Sequence, residues 1–171
     1  MQIIILCGSP GAGKTTHLQR LIADAAAGGR SVGGVFSPAV FEGIRRVGYD
    51  LVDLWTGSRR PLARLRSGKD VPATVGEYVF DEAAIREGNA ALAAAMRGRV
   101  EVLAIDEVGP LEFRGGGWAP ALECALRESS PAGEMILTIR PSLADELPER
   151  FPSLAWRSAR RIELPAGPRS P

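Results

Sequence analysis

The chain has 171 residues, 21 basic against 20 acidic side chains for a formal net charge of +1, and 45% hydrophobic residues. That length and balance fit one globular domain and exclude a disordered or fibrous chain and a protein that holds nucleic acid by bulk charge. Cys7 and Cys124 are too few and too far apart for a disulfide framework or a metal knuckle, and no apolar run is long enough for a membrane span.

In chain order, residues 2–7 (Gln2-Ile3-Ile4-Ile5-Leu6-Cys7) are a short, β-branched run, the pattern of a strand covered on both faces. The run lacks a basic flank and enters a glycine loop directly, so a signal peptide is not expected and the expected compartment is the reduced cytoplasm. After the loop, Leu18, Leu21, Ile22 and Ala25 fall on one helical face, and Gly28-Gly29 ends the helix. Strand, loop, helix is the opening unit of an α/β fold. Val32 to Phe36 predicts a second strand. Ile44 to Trp55 reads as β, with Gly48 a bulge or turn. Residues 59–75, rich in Arg, Pro, Gly and Ser, predict an exposed, mobile excursion, and Gly76 to Phe80 a short strand. Residues 34–80 together read as a β-rich insert. Asp81 is the expected N-cap of an Ala-rich helix ending near Arg97-Gly98. Residues 100–105 predict a buried strand that stops at Asp106-Glu107. A Gly/Arg loop (Phe113 to Gly117), a helix over 120–128, a strand at Met135 to Ile139, a short helix at Leu143 to Leu147 and a weak strand from Trp156 to Leu164 follow. The expected organisation is a single domain over residues 1–164 with a frayed tail over 165–171.

Gly8-Ser9-Pro10-Gly11-Ala12-Gly13-Lys14-Thr15 fits the phosphate-loop pattern G-x-x-x-x-G-K-[ST] at every fixed position. Its glycines permit positive φ and close approach, so backbone N–H groups can converge on phosphate oxygens. The following helix adds its N-terminal dipole. In this reading Lys14 reaches the β- and γ-phosphates of a nucleoside triphosphate, Thr15 binds Mg²⁺, and Thr16 bonds the α-phosphate. The choice of lysine is pointed: it stands only at Lys14 and Lys69, every other basic residue being arginine, and a compact ammonium differs from a planar fork.

Asp106-Glu107 ends an apolar strand, at the edge where open α/β sheets bind ligands. Asp106 is the candidate Mg²⁺-associated carboxylate and Glu107 the candidate base for an attacking water, a pairing that favours hydrolysis over transfer. Arg45, Arg46, Arg59, Arg60, Arg64, Arg114 and Arg140 are candidates for a cation near the γ-phosphate. Trp55, Tyr78, Trp118 and Trp156 are aromatic enough to stack a base, although core packing explains each of them better. His17 has no evident partner in the sequence.

Five elements in order resemble the thermophilic nucleoside-triphosphatase family, which includes the cancer-related nucleoside triphosphatase. They are the phosphate loop; Gly33 through Leu54, with its Gly43-Ile44-Arg45-Arg46-Val47-Gly48-Tyr49-Asp50 stretch; Arg59-Arg60-Pro61-Leu62-Ala63-Arg64; Val75-Gly76-Glu77-Tyr78-Val79; and Asp106-Glu107-Val108-Gly109-Pro110-Leu111-Glu112. The resemblance covers about residues 1–125. It implies a RecA-like, mainly parallel sheet flanked by helices, and slow Mg²⁺-dependent hydrolysis of nucleoside triphosphates with loose base preference. By position, Lys14, Thr15, Asp106 and Glu107 inherit the phosphate, metal and water roles, and Arg46 is the arginine the motif singles out. The chain departs from the family after Glu112, where Phe113-Arg114-Gly115-Gly116-Gly117-Trp118 stands, and after Ile139, where Arg140-Pro141-Ser142 leads to a shorter end. Two rivals keep the phosphate site: a small-molecule or nucleotide kinase, and a nucleotide switch acting through a protein partner, with the Arg114-to-Trp118 loop and its exposed tryptophan as the contact surface. Neither nucleic acid nor a membrane is expected as a partner.

Overall fold

The computed structural model describes residues 1–68, 74–127 and 132–165. Its strands are β1 Gln2–Cys7, β2 Val32–Phe36, β3 Ala39–Glu42, β4 Arg45–Asp53, β5 Arg59–Leu65, β6 Tyr78–Phe80, β7 Val102–Val108, β8 Glu134–Ile139 and β9 Ala159–Glu163. Its helices are α1 Lys14–Ala27, α2 Glu82–Arg97, α3 Pro110–Phe113, α4 Ala119–Arg127, α5 Pro141–Ala144 and α6 Leu147–Arg150, with a 3-10 turn at Leu154–Ser158. All strands join one nine-stranded mixed sheet.

The parallel half runs β2-β7-β8-β1-β9, so β8 separates the strand that leads into the phosphate loop from the strand that carries Asp106. That arrangement is RecA-like, as expected. Alternation along each strand divides the core. Ile3, Ile5, Leu103, Ile105, Met135 and Leu137 join one cluster with Leu92 of α2 and Leu122 of α4. Leu6, Val102, Ala104 and Ile136 join the other with Leu18 and Ala25 of α1. Because both faces are covered, these strands read as unbroken apolar runs rather than alternating ones.

The β-rich segment is not a separate body. Strand β4 pairs antiparallel with β2, and β3, β5 and β6 extend the sheet from there. The expected excursion over 59–75 is corrected in its first part: 59–65 is strand β5, tied to β4 by Arg59 Nε and Arg64 Nη2, 2.7 and 2.6 Å from the Asp50 carboxylate. Arginines that resemble a solvated run are cross-strand partners. Residues 69–73 of that excursion lie outside the described residues. Gly48 lies within β4, where a Cβ would meet Ala63 O at 2.2 Å, and register shifts fall nearby, at Tyr49/Asp50 and Val40/Phe41. Strand β3 had no sequence signal beyond four residues after Pro38.

Asp81 caps α2 as expected, its Oδ1 accepting from Ala83 N and Ala84 N at 2.7 and 3.1 Å. The single short helix expected over Leu143 to Leu147 is instead two, α5 and α6, each with a proline at its start. The last strand begins only at Ala159, after the 3-10 turn. The expected tail falls outside the described residues from position 166 on.

Gly34 shows how tightly β2 meets β7: its φ is +118° and a Cβ would lie 2.0 Å from Ala104 O. Gly34→Ala is expected to cost about 3–5 kcal/mol, the sum of overpacking and backbone strain. Denaturant unfolding checks this, and an unchanged midpoint would contradict the pairing.

Candidate active site

Strand β1 delivers the chain into the loop at Gly8. Gly11 and Gly13 have φ of 81° and 79°, left-handed conformations that glycine adopts without strain. Gly13 also stands as N-cap of α1 with no side-chain cap bond, and the first-turn N–H groups of a helix have no intrahelical acceptor. Lys14 is buried, and its Nζ donates to Gly8 O at 2.9 Å and Ser9 O at 3.2 Å. The ammonium is thus folded over its own loop on carbonyl oxygens. Thr16 is exposed, and His17 is half-buried on α1.

The loop meets β7 through one side chain. Thr15 Oγ1 donates to Asp106 Oδ2 at 3.0 Å across 91 positions of sequence. The same oxygen accepts from Ser37 N at 3.1 Å, and Oδ1 accepts from Thr138 Oγ1 at 2.6 Å. Asp106 is fully buried. Burial, and then the neighbouring Glu107 charge, push its pKa up from the usual carboxylate value, against the pull of its hydrogen-bond donors.

The expectation that the strand stops at Asp106-Glu107 is corrected. Strand β7 continues to Val108, which pairs with Ile139, after a register shift between Ile105 and Val108. Within this bulge Glu107 has φ +61°, a left-handed conformation that costs a side-chain-bearing residue about 1 kcal/mol or more. Its N–H donates to Thr138 Oγ1 at 2.7 Å. The bulge lets adjacent carboxylates serve different places: Asp106 faces Thr15, and Glu107 borders a cavity of about 440 Å³.

No residue of the phosphate loop lines that cavity; Tyr49, Tyr78, Phe80, Trp118 and Arg140 are among its walls. Trp118 is 3% exposed. Its Nε1 donates to Asp106 O at 3.1 Å, and its ring packs so closely on α2 that a Cβ on Gly88 would come within 2.3 Å of it. This corrects the picture of an exposed tryptophan presented to a partner. The Gly/Arg loop is wrapped around buried Glu112, whose oxygens accept from Gly109 N at 2.8 Å and Trp118 N at 2.9 Å.

Burial pushes the Glu112 carboxyl up to about 7, outweighing those N–H donors. A carboxyl raised on folding takes up its proton more readily in the folded chain. Its contribution is therefore fully present below the ordinary value of 4.5 and lost as pH rises through about 7. Thermal unfolding of the nucleotide-free protein is expected to show stability falling by up to about 3 kcal/mol from this group between pH 4.5 and 7. Glu112→Gln should flatten that part of the profile; an unaltered profile would contradict the assignment.

The candidate arginines separate clearly. Arg59 and Arg64 pair with Asp50, and Arg60 pairs with Asp81 and Glu87. Arg45 is exposed. Arg46 Nη1 donates to Tyr49 Oη at 2.7 Å, so it supports a cavity wall without itself lining the cavity. Arg114 Nε donates to Pro110 O at 3.0 Å and borders the cavity. Arg140, just past β8, borders it with no ion pair among the described residues. Of the aromatics, Tyr78 and Trp118 line the cavity, Trp55 is half-exposed beside Gly33 and Gly98, and Trp156 Nε1 donates to Phe151 O at 2.6 Å. Sequence reasoning missed Ser37 and Thr138. Their only local signals are a serine just after β2 and one hydroxyl inside the apolar strand β8.

A family described as NTPase matches residues 3–155. The nucleoside-triphosphatase THEP1 of Methanopyrus kandleri is 34% identical over 129 residues, covering 75% of this chain and 69% of that protein. The protein of the same name from Pyrococcus abyssi is 33% identical over 139 residues, covering 81% and 74%. A solved structure of a human cancer-related nucleoside triphosphatase has a TM-score of 0.70 at 25% identity, covering 95% of this chain and 88% of that one.

Proposed function

The chain belongs to the NTPase family, and from that membership we propose that it hydrolyses nucleoside 5′-triphosphates to diphosphate and phosphate, with Mg²⁺ and with loose base preference. The observation that carries the reading is the Thr15–Asp106 hydrogen bond, which joins the phosphate loop to the carboxylate pair.

The residues present fit the ion. A hydroxyl and a carboxylate 3.0 Å apart offer hard oxygens, and Mg²⁺ is typically held by one or two protein oxygens together with substrate phosphates and waters. No cluster of three or more His, Cys, Asp or Glu side chains suited to a metal occurs among the described residues, which agrees with a shared rather than caged ion. Thr15 and Asp106 would hold it, and when bound it neutralises charge on the β- and γ-phosphates.

In this mechanism the backbone N–H groups of Gly11 and of Gly13 to Thr16, with the α1 dipole, receive the phosphates. Lys14 exchanges the Gly8 and Ser9 carbonyls for phosphate oxygens and offsets the charge that spreads over the γ-phosphoryl group. Glu107 accepts a proton from water as the water oxygen bonds to the γ-phosphorus and the β–γ bridging P–O bond breaks. Thr138 positions both carboxylates, since its hydroxyl donates to Asp106 and accepts from Glu107 N. Arg46 keeps Tyr49 in place, and Arg140 is the better-placed cation for the γ-phosphate. The loop's N–H groups and Lys14 would meet phosphate oxygens and no base, which supports loose base preference. No helix among the described residues is long and apolar enough to cross a membrane, and the proposed site of action is the cytoplasm.

The test is phosphate release from ATP, GTP, CTP and UTP with Mg²⁺ and with a chelator. Release from all four that the chelator removes is expected. Release confined to one base would overturn the base claim, and release that survives chelation the metal claim.

A further inference from the structure

We infer that the cavity beyond Glu107 binds a nucleoside as a second substrate, whose hydroxyl accepts the γ-phosphoryl group. The inference rests on the reading of the phosphate loop and Glu107 given above.

Size is the first consideration. A water molecule's share of liquid volume is about 30 Å³, whereas the cavity measures about 440 Å³, within the range of sites built for small molecules. Hydrolysis alone does not call for it.

Its position is the second. The base of a nucleoside triphosphate hangs from the α-phosphate end, while Glu107 serves the γ-phosphoryl end. A cavity bordered by Glu107 and by no residue of the phosphate loop adjoins the γ-phosphoryl end of the site, where an acceptor belongs.

The walls are the third. Tyr49 and Tyr78 meet edge to face with ring centroids 5.3 Å apart, and with Phe80 and the immobilised Trp118 they offer flat apolar surfaces to a planar ring.

The polar lining is the fourth and most specific. Ser37 is 3% exposed and lines the cavity, yet its Oγ has no hydrogen-bond partner among the described residues. A buried hydroxyl is costly to leave unmatched, and a ligand hydroxyl would satisfy it. Ser37 N is bonded to Asp106, so this bare hydroxyl sits beside the reacting end of the site.

The step balances as follows. The acceptor's 5′-hydroxyl gives its proton to the Glu107 carboxylate, and its oxygen forms a bond to the γ-phosphorus. The β–γ bridging P–O bond breaks, and its electron pair leaves on the nucleoside diphosphate. The products are a nucleoside diphosphate and a nucleoside monophosphate. Water uses the same base when the cavity holds no acceptor, so hydrolysis and transfer share one site.

The experiment incubates the protein with Mg²⁺ and γ-labelled ATP in the presence of each common ribo- and deoxyribonucleoside. It follows labelled phosphate and labelled monophosphate together. Labelled monophosphate is expected from at least one nucleoside, with less free phosphate. Tyr78→Leu should raise that nucleoside's half-saturating concentration about tenfold, the scale of one aromatic contact, and leave hydrolysis without acceptor unchanged. Hydrolysis without any labelled monophosphate would overturn the acceptor inference and leave the hydrolytic reading standing. Transfer indifferent to Tyr78→Leu would place the acceptor elsewhere, and a raised KM for ATP itself would make the cavity the base site. Loss of both products in the unaltered protein would count against the underlying reading as well.

Discussion

Lys14→Ala is expected to abolish nucleotide binding and turnover together, by about 10³-fold or more in kcat/KM. Lys14 is the cation of the loop, buried to 5% exposure and aimed at the loop's own carbonyls. A triphosphate brought against those backbone groups needs that compact ammonium to leave the carbonyls and meet its oxygens. Without it, two carboxylates and the phosphates face one another with less to offset them. Lys14→Arg should fail nearly as badly, since a planar fork cannot replace a point charge in so close a site. Titration with a fluorescent nucleotide, phosphate release and thermal unfolding on one preparation check this. Unchanged turnover in a folded variant would remove the loop from the mechanism.

Glu107→Gln is expected to separate chemistry from binding. The amide keeps size and hydrogen bonding but cannot take a proton, so kcat should fall about 10²–10⁴-fold with Mg²⁺–ATP affinity held. A matching loss of affinity would mean that Glu107 holds the metal or the fold instead. The backbone offers an internal control. Because Glu107 stands at φ +61°, Glu107→Gly relieves strain that the bulge imposes. It should leave the unfolding midpoint unchanged or higher while losing the same turnover, as a residue kept for function at a cost to stability would.

Much of the site was legible because its signals are local. An apolar run, two glycines that need positive φ and a lysine opening an amphipathic helix specify the phosphate loop within fifteen or so positions. The Asp81 cap and the α1 face are of the same kind. What stayed hidden depends on partners distant in sequence. Nothing near Thr138 announces that its hydroxyl will join Asp106 to Glu107. Glutamate is a poor residue for a left-handed backbone, so the bulge that continues β7 has no local mark. Trp118 looked exposed within a glycine-rich loop; its burial depends on Gly88 of α2 leaving room for the ring. The arginines of 59–64 resembled a solvated run until the fold placed Asp50 beside Arg59 and Arg64, and Asp81 and Glu87 beside Arg60.

The most direct test of the central claim is a crystal structure with Mg²⁺ and a non-hydrolysable ATP analogue. The account predicts Lys14 Nζ released from Gly8 O and Ser9 O onto the phosphates, Thr15 and Asp106 at the ion, and Glu107 facing the γ-phosphate. Triphosphate bound elsewhere, with Lys14 still on its own carbonyls, would contradict it.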